Sequence, residues 1–184
     1  MESTKRQLIE DSRVLIITGS APCVLEDLAL AKVLAPSHDL MAVGLDAVDK
    51  YAEPIKYVVT YHPKEIAEIA ERRAGYGNTD YLVISHQEKP GVDICIKDWW
   101  VPSGSSSLLG VQAAQRLGYD KIILCGCPLE GKNSEGGAYE NFHAGWKRRV
   151  KETAACVRSM SGWTLDLLGA PDEQWLLKEK ENAG

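Results

Sequence analysis

The chain of 184 residues has a formal net charge of −5 and is 45% hydrophobic and 26% charged, the composition of an ordinary globular domain. A domain of this size buries roughly 70% of its unfolded surface, without disulfides or metals. Its apolar runs fall far short of the ~20 residues of a membrane span. No apolar core or cleavage site follows Met1-Glu-Ser-Thr-Lys-Arg-Gln7, so a secretory signal is not expected and a cytoplasmic location is. Cys23, Cys95, Cys125, Cys127 and Cys156 include no Cys-x-x-Cys pair and read as free thiols. The acidic balance leaves no electrostatic footprint for nucleic acid, and Lys147-Arg-Arg149 with Lys151 reads as a solvated helix face.

In chain order, Val14–Ile17 is an apolar run suited to a strand buried on both faces, and it stops at Gly19-Ser-Ala-Pro-Cys23 before a helix-like segment from Val24 to Leu34. Asp39–Leu45, Tyr57–Thr60 and Tyr81–Ile84 are further short strands. His62-Pro63 opens a helix with a stripe of Ile66, Ala67, Ile69 and Ala70, closed by Gly75. Gln87–Gly104 is irregular, with a short strand at Val92–Ile96. Its Trp99-Trp100 pair either covers a site or packs the domain edge or a homo-oligomer interface. Ser103–Ser107 opens a helix that runs to Leu117, Lys121–Leu124 is a fifth main strand, and a polar loop follows from Gly126 to Gly137. A long helix is expected from Tyr139 to Val157, then Ser161–Pro171 and a short charged helix from Asp172 capped by that proline. Such alternation predicts an α/β fold: one Rossmann-like nucleotide-binding domain over residues 1–184. Its sheet would be mostly parallel, with at least five strands, helices on both faces and ligands at the carboxyl ends of the strands.

Gly19–Pro22 and Ser103–Ser107 each pair a turn with a helix start, where free N–H groups and the helix dipole attract anions such as phosphate. The competing roles are plain: Gly19 turns the chain and Ser105 or Ser106 caps a helix. Neither stretch is a Walker loop or a full Gly-x-Gly-x-x-Gly. His62 and His86 fall just past strand ends, where imidazoles titrating near pH 6.5 act as acid or base. His143 lies in the apolar stripe of its helix, equally a core histidine. Asp27, Glu130 and Glu135 are acid candidates, with solvated surface as the alternative. No spacing reads as a metal site, and no cofactor is implied.

The loop Gly19-Ser-Ala-Pro-Cys23 resembles the Gly-Asn/Ala-Gly-Pro-Ser loop of bacterial sialyltransferases and of proteins grouped with archaeal hydroxymethylpterin pyrophosphokinases. Pro102–Leu129 is similar to their Ser-Gly, helix, Leu-Gly-Tyr-x-x-Ile-x-Leu-x-Gly-x-Asp run. The resemblance implies a nucleotide or nucleotide-sugar ligand, with Gly19, Ser20, Pro22 and Cys23 facing phosphate, Ser103, Gly104 and Ser105 the nucleotide, and Gly126 joining the site. It implies a CMP-type donor for a small glycosyltransferase with His143 as base, or else His62. Three positions depart from the pattern: Ser20, Cys23 and Pro128 stand where those enzymes carry Asn, Ser and Asp. Two alternatives follow. One is a non-catalytic nucleotide-binding module. The other is a pyrophosphokinase-like transferase, against which Val58-Val-Thr-Tyr-His-Pro63 offers no acidic metal ligands.

Overall fold

The computed structural model describes residues 14–99, 105–131 and 139–178; Trp100, Pro102, Ser103, Gly104 and Glu135 lie outside them. Among the described residues seven strands form one sheet: β1 Val14–Thr18, β2 Asp39–Val43, β3 Tyr57–Val59, β4 Leu82–Ser85, β5 Ile94–Cys95, β6 Lys121–Cys125 and β7 Val157–Ser159. Their order is β5-β4-β3-β2-β1-β6-β7, and all six pairings are parallel. β1, an inner strand between β2 and β6, is buried along its whole length, as expected of an apolar run covered on both sides.

Six helices cover the faces: α1 Val24–Leu34, α2 Ile66–Ala74, α3 Ser106–Arg116, α4 Glu140–Thr153, α5 Gly162–Leu168 and α6 Glu173–Leu177. Alternation along each strand divides the core. Ile16, Ala42, Val58 and Ile123 pack under α1, α2 and α6 through Leu28, Ile69 and Trp175. Leu15, Ile17, Met41, Val59 and Leu124 pack under α3, α4 and α5 through Leu108, Trp146 and Leu168. Each helix that follows a parallel strand runs back antiparallel to it. The N-termini of α1 to α4 therefore stand at the carboxyl edge, with the loops after β1, β3, β4 and β6.

Three elements differ from expectation. The predicted Tyr139–Val157 helix ends at Thr153, and Val157 opens β7, paired with Ile122 of β6. Val157 matches the helical stripe by spacing, but the open edge of β6 takes it into the sheet, where its side chain is wholly buried. The stretch after Ser161 coils into α5. The short last helix takes Asp172, not Pro171, as its cap: the Asp172 carboxylate accepts from the Trp175 N–H at 2.7 Å. No helix among the described residues is long and apolar enough to cross a membrane.

Candidate functional site

The chain leaves β1 for α1 on one face of the sheet and leaves β6 for α4 on the other. Strand order reverses between β1 and β6, the place where doubly wound sheets open a ligand crevice. Here the two loops close on each other. The Gly19 N–H donates to the Cys125 carbonyl at 2.8 Å and the Ala21 N–H to the Gly126 carbonyl at 3.2 Å. A Cβ at Gly19 would lie 2.3 Å from the Gly126 oxygen and 2.8 Å from Cys127 Sγ. Gly126, at φ +63°, is itself pressed onto Val24, whose Cβ would lie 2.5 Å from an added methyl. The two glycines thus answer first to the contact between loops. Two of the loop amides are used in it, and Pro22 has none to offer.

Asp27 lies beneath this contact, in the first turn of α1. The sequence allowed it a solvated position, but it is 5% exposed. Its Oδ2 accepts from the Gly126 N–H at 2.8 Å and from Ser161 Oγ at 2.7 Å. Its carboxylate thus meets the positive end of the helix from within the protein. Cys23 Sγ is 3.3 Å from Ser161 Oγ. Burial raises the Cys23 thiol above its ordinary value and the Asp27 charge adds to this, against the Ser161 hydrogen bond. Cys23 is a protonated thiol at neutral pH and not a poised nucleophile. Ser20 and Pro22 are exposed at the rim.

Two other candidates are held by the fold. His143 Nε2 is 2.8 Å from the Leu129 carbonyl, which assigns the hydrogen to that nitrogen. Its ring stacks on Trp163, with centroids 3.8 Å apart and planes 16° from parallel. Leu129 reaches this bond with φ +51°, a left-handed conformation that costs a branched residue energy and that the contact with His143 stabilises. Ser105, 2% exposed, caps α3: its Oγ accepts from the Leu108 N–H at 3.4 Å and lies 2.9 Å from Ser107 Oγ.

His62 and His86 come together, with partners that no spacing announced. An open cleft of about 660 Å³ lies past the carboxyl ends of β3 and β4, lined by Tyr61, His62, Lys64, His86, Gln87 and Lys89. The loop that carries Tyr61 and His62 is pinned to β4, since the Thr60 N–H donates to Ile84 O at 3.0 Å and Ser85 Oγ to Thr60 O at 2.8 Å. Pro63 then starts a tight turn, Pro63–Glu65, that runs into α2 and points His62 to solvent. The Tyr61 and His86 rings stack at 4.3 Å and 15°, and Trp99 closes on Tyr61 at 5.1 Å.

Burial, with repulsion from His62, lowers the His86 pKa below the ordinary histidine value, so this ring is neutral at pH 7. Its Nδ1 is buried and has no hydrogen-bond partner among the described residues, while Nε2 is 3.1 Å from Gln87 Nε2. An orphaned buried nitrogen is costly unless something fills its need. Two ammonium groups, Lys64 and Lys89, overlook the same space, and the nearby Glu88 is neutralised by Lys97 at 2.8 Å. The cleft therefore combines a flat aromatic wall, positive charge and one solvent-facing imidazole. These features suit a planar ring carrying an anionic group. Among the described residues no group of three or more His, Cys, Asp or Glu is placed to hold a metal ion.

Fold and topology define a doubly wound, Rossmann-like α/β domain with an open cleft at the carboxyl edge. Compared with protein-family models, with curated proteins and with solved structures, the chain matches none.

Proposed function

We propose that the protein binds a nucleotide or nucleotide-sugar along its carboxyl edge, with the cleft between the β3 and β4 loops as the principal pocket. The observation that carries this reading is the pairing, in one cleft, of the Tyr61–His86 wall with Lys64 and Lys89. The base stacks on the wall, and the phosphates lie between the two lysines. Ser20 is two strand positions from β3, about 10 Å at ordinary sheet spacing. An extended nucleotide-sugar covers that distance.

On this reading the catalytic extension is glycosyl transfer. His62 takes the proton of an acceptor hydroxyl as its oxygen bonds to the sugar carbon, and the bond from that carbon to the donor phosphate oxygen breaks. His62 is preferred to His143 because it is exposed, whereas His143 Nε2 is committed to Leu129. The engagement of His143 and the protonated Cys23 favour a second reading, a binding module without turnover. Calorimetric titration with CMP, CDP, UDP and GDP tests the shared claim: binding should weaken at least tenfold in Lys64→Ala/Lys89→Ala, and no binding at millimolar ligand refutes it. Release of CMP from a CMP-sugar, abolished in His62→Ala with binding retained, distinguishes transferase from module. Magnesium-dependent consumption of ATP would instead favour the pyrophosphokinase-like alternative.

A further inference from the structure

Lys64 and Lys89 stand on the two sides of the Tyr61–His86 cleft, each on a turn that the backbone fixes. Lys64 lies in the tight turn Pro63–Glu65 at the start of α2, closed by the Glu65 N–H, which donates to the His62 carbonyl at 2.9 Å. Lys89 opens the turn Lys89-Pro-Gly-Val92, closed by the Val92 N–H, which donates to the Lys89 carbonyl at 3.0 Å. Proline in second place and glycine in third, with Gly91 at φ +85°, make this a type II turn, whose third position favours glycine.

The two turns touch. A Cβ at Gly91 would lie 2.9 Å from Ile66 Cγ2, so the Lys89 turn is seated directly on the first residue of α2. Gly91 is two residues from Lys89, and Ile66 two from Lys64. This one contact therefore sets the spacing of both lysines. Both are exposed, neither makes an ion pair among the described residues, and no carboxylate lines the cleft.

A lysine ammonium acts on an anion as a point charge, and here each wall of the cleft supplies one. A lone phosphate gathers its charge on one centre, whereas two linked phosphates present oxygens to both walls. A CMP-type donor, with a single phosphodiester charge, leaves one ammonium unmatched. We propose that the cleft selects a ligand with two linked phosphates, a nucleoside diphosphate or its sugar ester, and that Gly91 is the positioning residue that holds Lys89 opposite Lys64. This selection rests on the nucleotide reading of the cleft and adds the phosphate count. Overall charge does not supply it: at −5 the chain as a whole disfavours the more anionic ligand, so any gain from a second phosphate reports local cations.

Calorimetric titration of the full chain at constant ionic strength compares CMP with CDP and GMP with GDP, pairs that differ by one phosphate. The diphosphate should bind at least about tenfold more tightly than its monophosphate. Lys89→Ala should bring the diphosphate down to about the affinity of the monophosphate, which itself changes little. Gly91→Ala, whose methyl meets Ile66 and whose backbone is strained at positive φ, should shift the Lys89 turn and narrow the ratio with every charge retained. Both positions are exposed, so the far-ultraviolet spectrum should match wild type, and a merely structural loss would lower both affinities together. No binding of any of the four at millimolar ligand refutes the nucleotide reading and this selection with it. Binding with equal affinity for mono- and diphosphate, or a diphosphate preference that survives Lys89→Ala, overturns the selection alone. A ratio untouched by Gly91→Ala overturns the positioning role.

Discussion

Gly19→Ala separates a glycine that serves the fold from one that serves a ligand. An added Cβ would lie 2.3 Å from the Gly126 carbonyl oxygen, so the β1 and β6 loops must part by about 1 Å to reach ordinary contact. Overpacking of this kind costs about 1–3 kcal/mol. The opening also strains two hydrogen bonds, Gly19 to Cys125 and Ala21 to Gly126, each worth about 1 kcal/mol. The expected loss is about 3 kcal/mol, or roughly 6–12 °C in Tm for a domain of this size. Urea denaturation followed by circular dichroism should show the midpoint falling with an unchanged m-value. Gly75→Ala is the control: with φ −58° and its nearest neighbour at 3.3 Å, it should stay within about 1 kcal/mol of wild type. If Gly19→Ala alters stability by less than about 0.5 kcal/mol, the loops do not lock and the account of the switch point fails.

Arg73 is wholly buried, and its guanidinium donates to the carbonyls of Val48, Tyr51 and Glu53 and to Asn78 Oδ1 at 2.7–3.0 Å. Arg73→Ala orphans these acceptors and should cost about 3–4 kcal/mol by chemical denaturation, with Arg73→Lys intermediate. Because the folded state holds the His86 pKa below its unfolded value, the unfolded chain binds more protons as pH drops below about 6.5. The His86 contribution is therefore complete above that pH and lost as pH falls toward the lowered value. His86→Phe, which keeps a flat ring on Tyr61, should flatten the fall in stability measured in denaturation curves at successive pH values. Intact-mass analysis after iodoacetamide should show adducts at the half-exposed Cys23 and Cys95 only, with Cys125, Cys127 and Cys156 modified after unfolding. Burial pushes the Cys127 thiol up to about 12, so rapid native labelling there would contradict the packing of the β6 loop.

The main strands and helices were legible because their signals are local: a buried apolar run ending at glycine or a polar turn, or a stripe at helical spacing. The same locality explains the misreading of Val157. It continued the stripe of Tyr139, Phe142 and Trp146, and only the unpaired edge of β6 draws it into a strand. Asp27 read as an acid candidate or as solvated surface, and neither reading foresaw its burial; the groups that bury it, Gly126 and Ser161, are 99 and 134 residues away. For His143 the stripe did suggest a packed histidine, but its acceptor is a backbone carbonyl, which every residue carries and no pattern marks.

The sequence by itself determined the alternation of strand and helix, and with it a parallel sheet whose polar loops gather at one edge. Right-handed crossovers between buried parallel strands leave few other arrangements. It also named His62 and His86 as strand-end histidines. Only the tertiary structure decided what those loops do on arrival. It seats the Gly19 and Gly126 loops against each other over a buried carboxylate, and it sets Tyr61, His86 and Trp99, from three separate loops, around one open cleft. The difference is one of range: hydrophobic period and turn chemistry act within a few residues. Ring stacking, the orphaned Nδ1 and the contact between the two glycines depend on distances that exist only once the sheet is assembled.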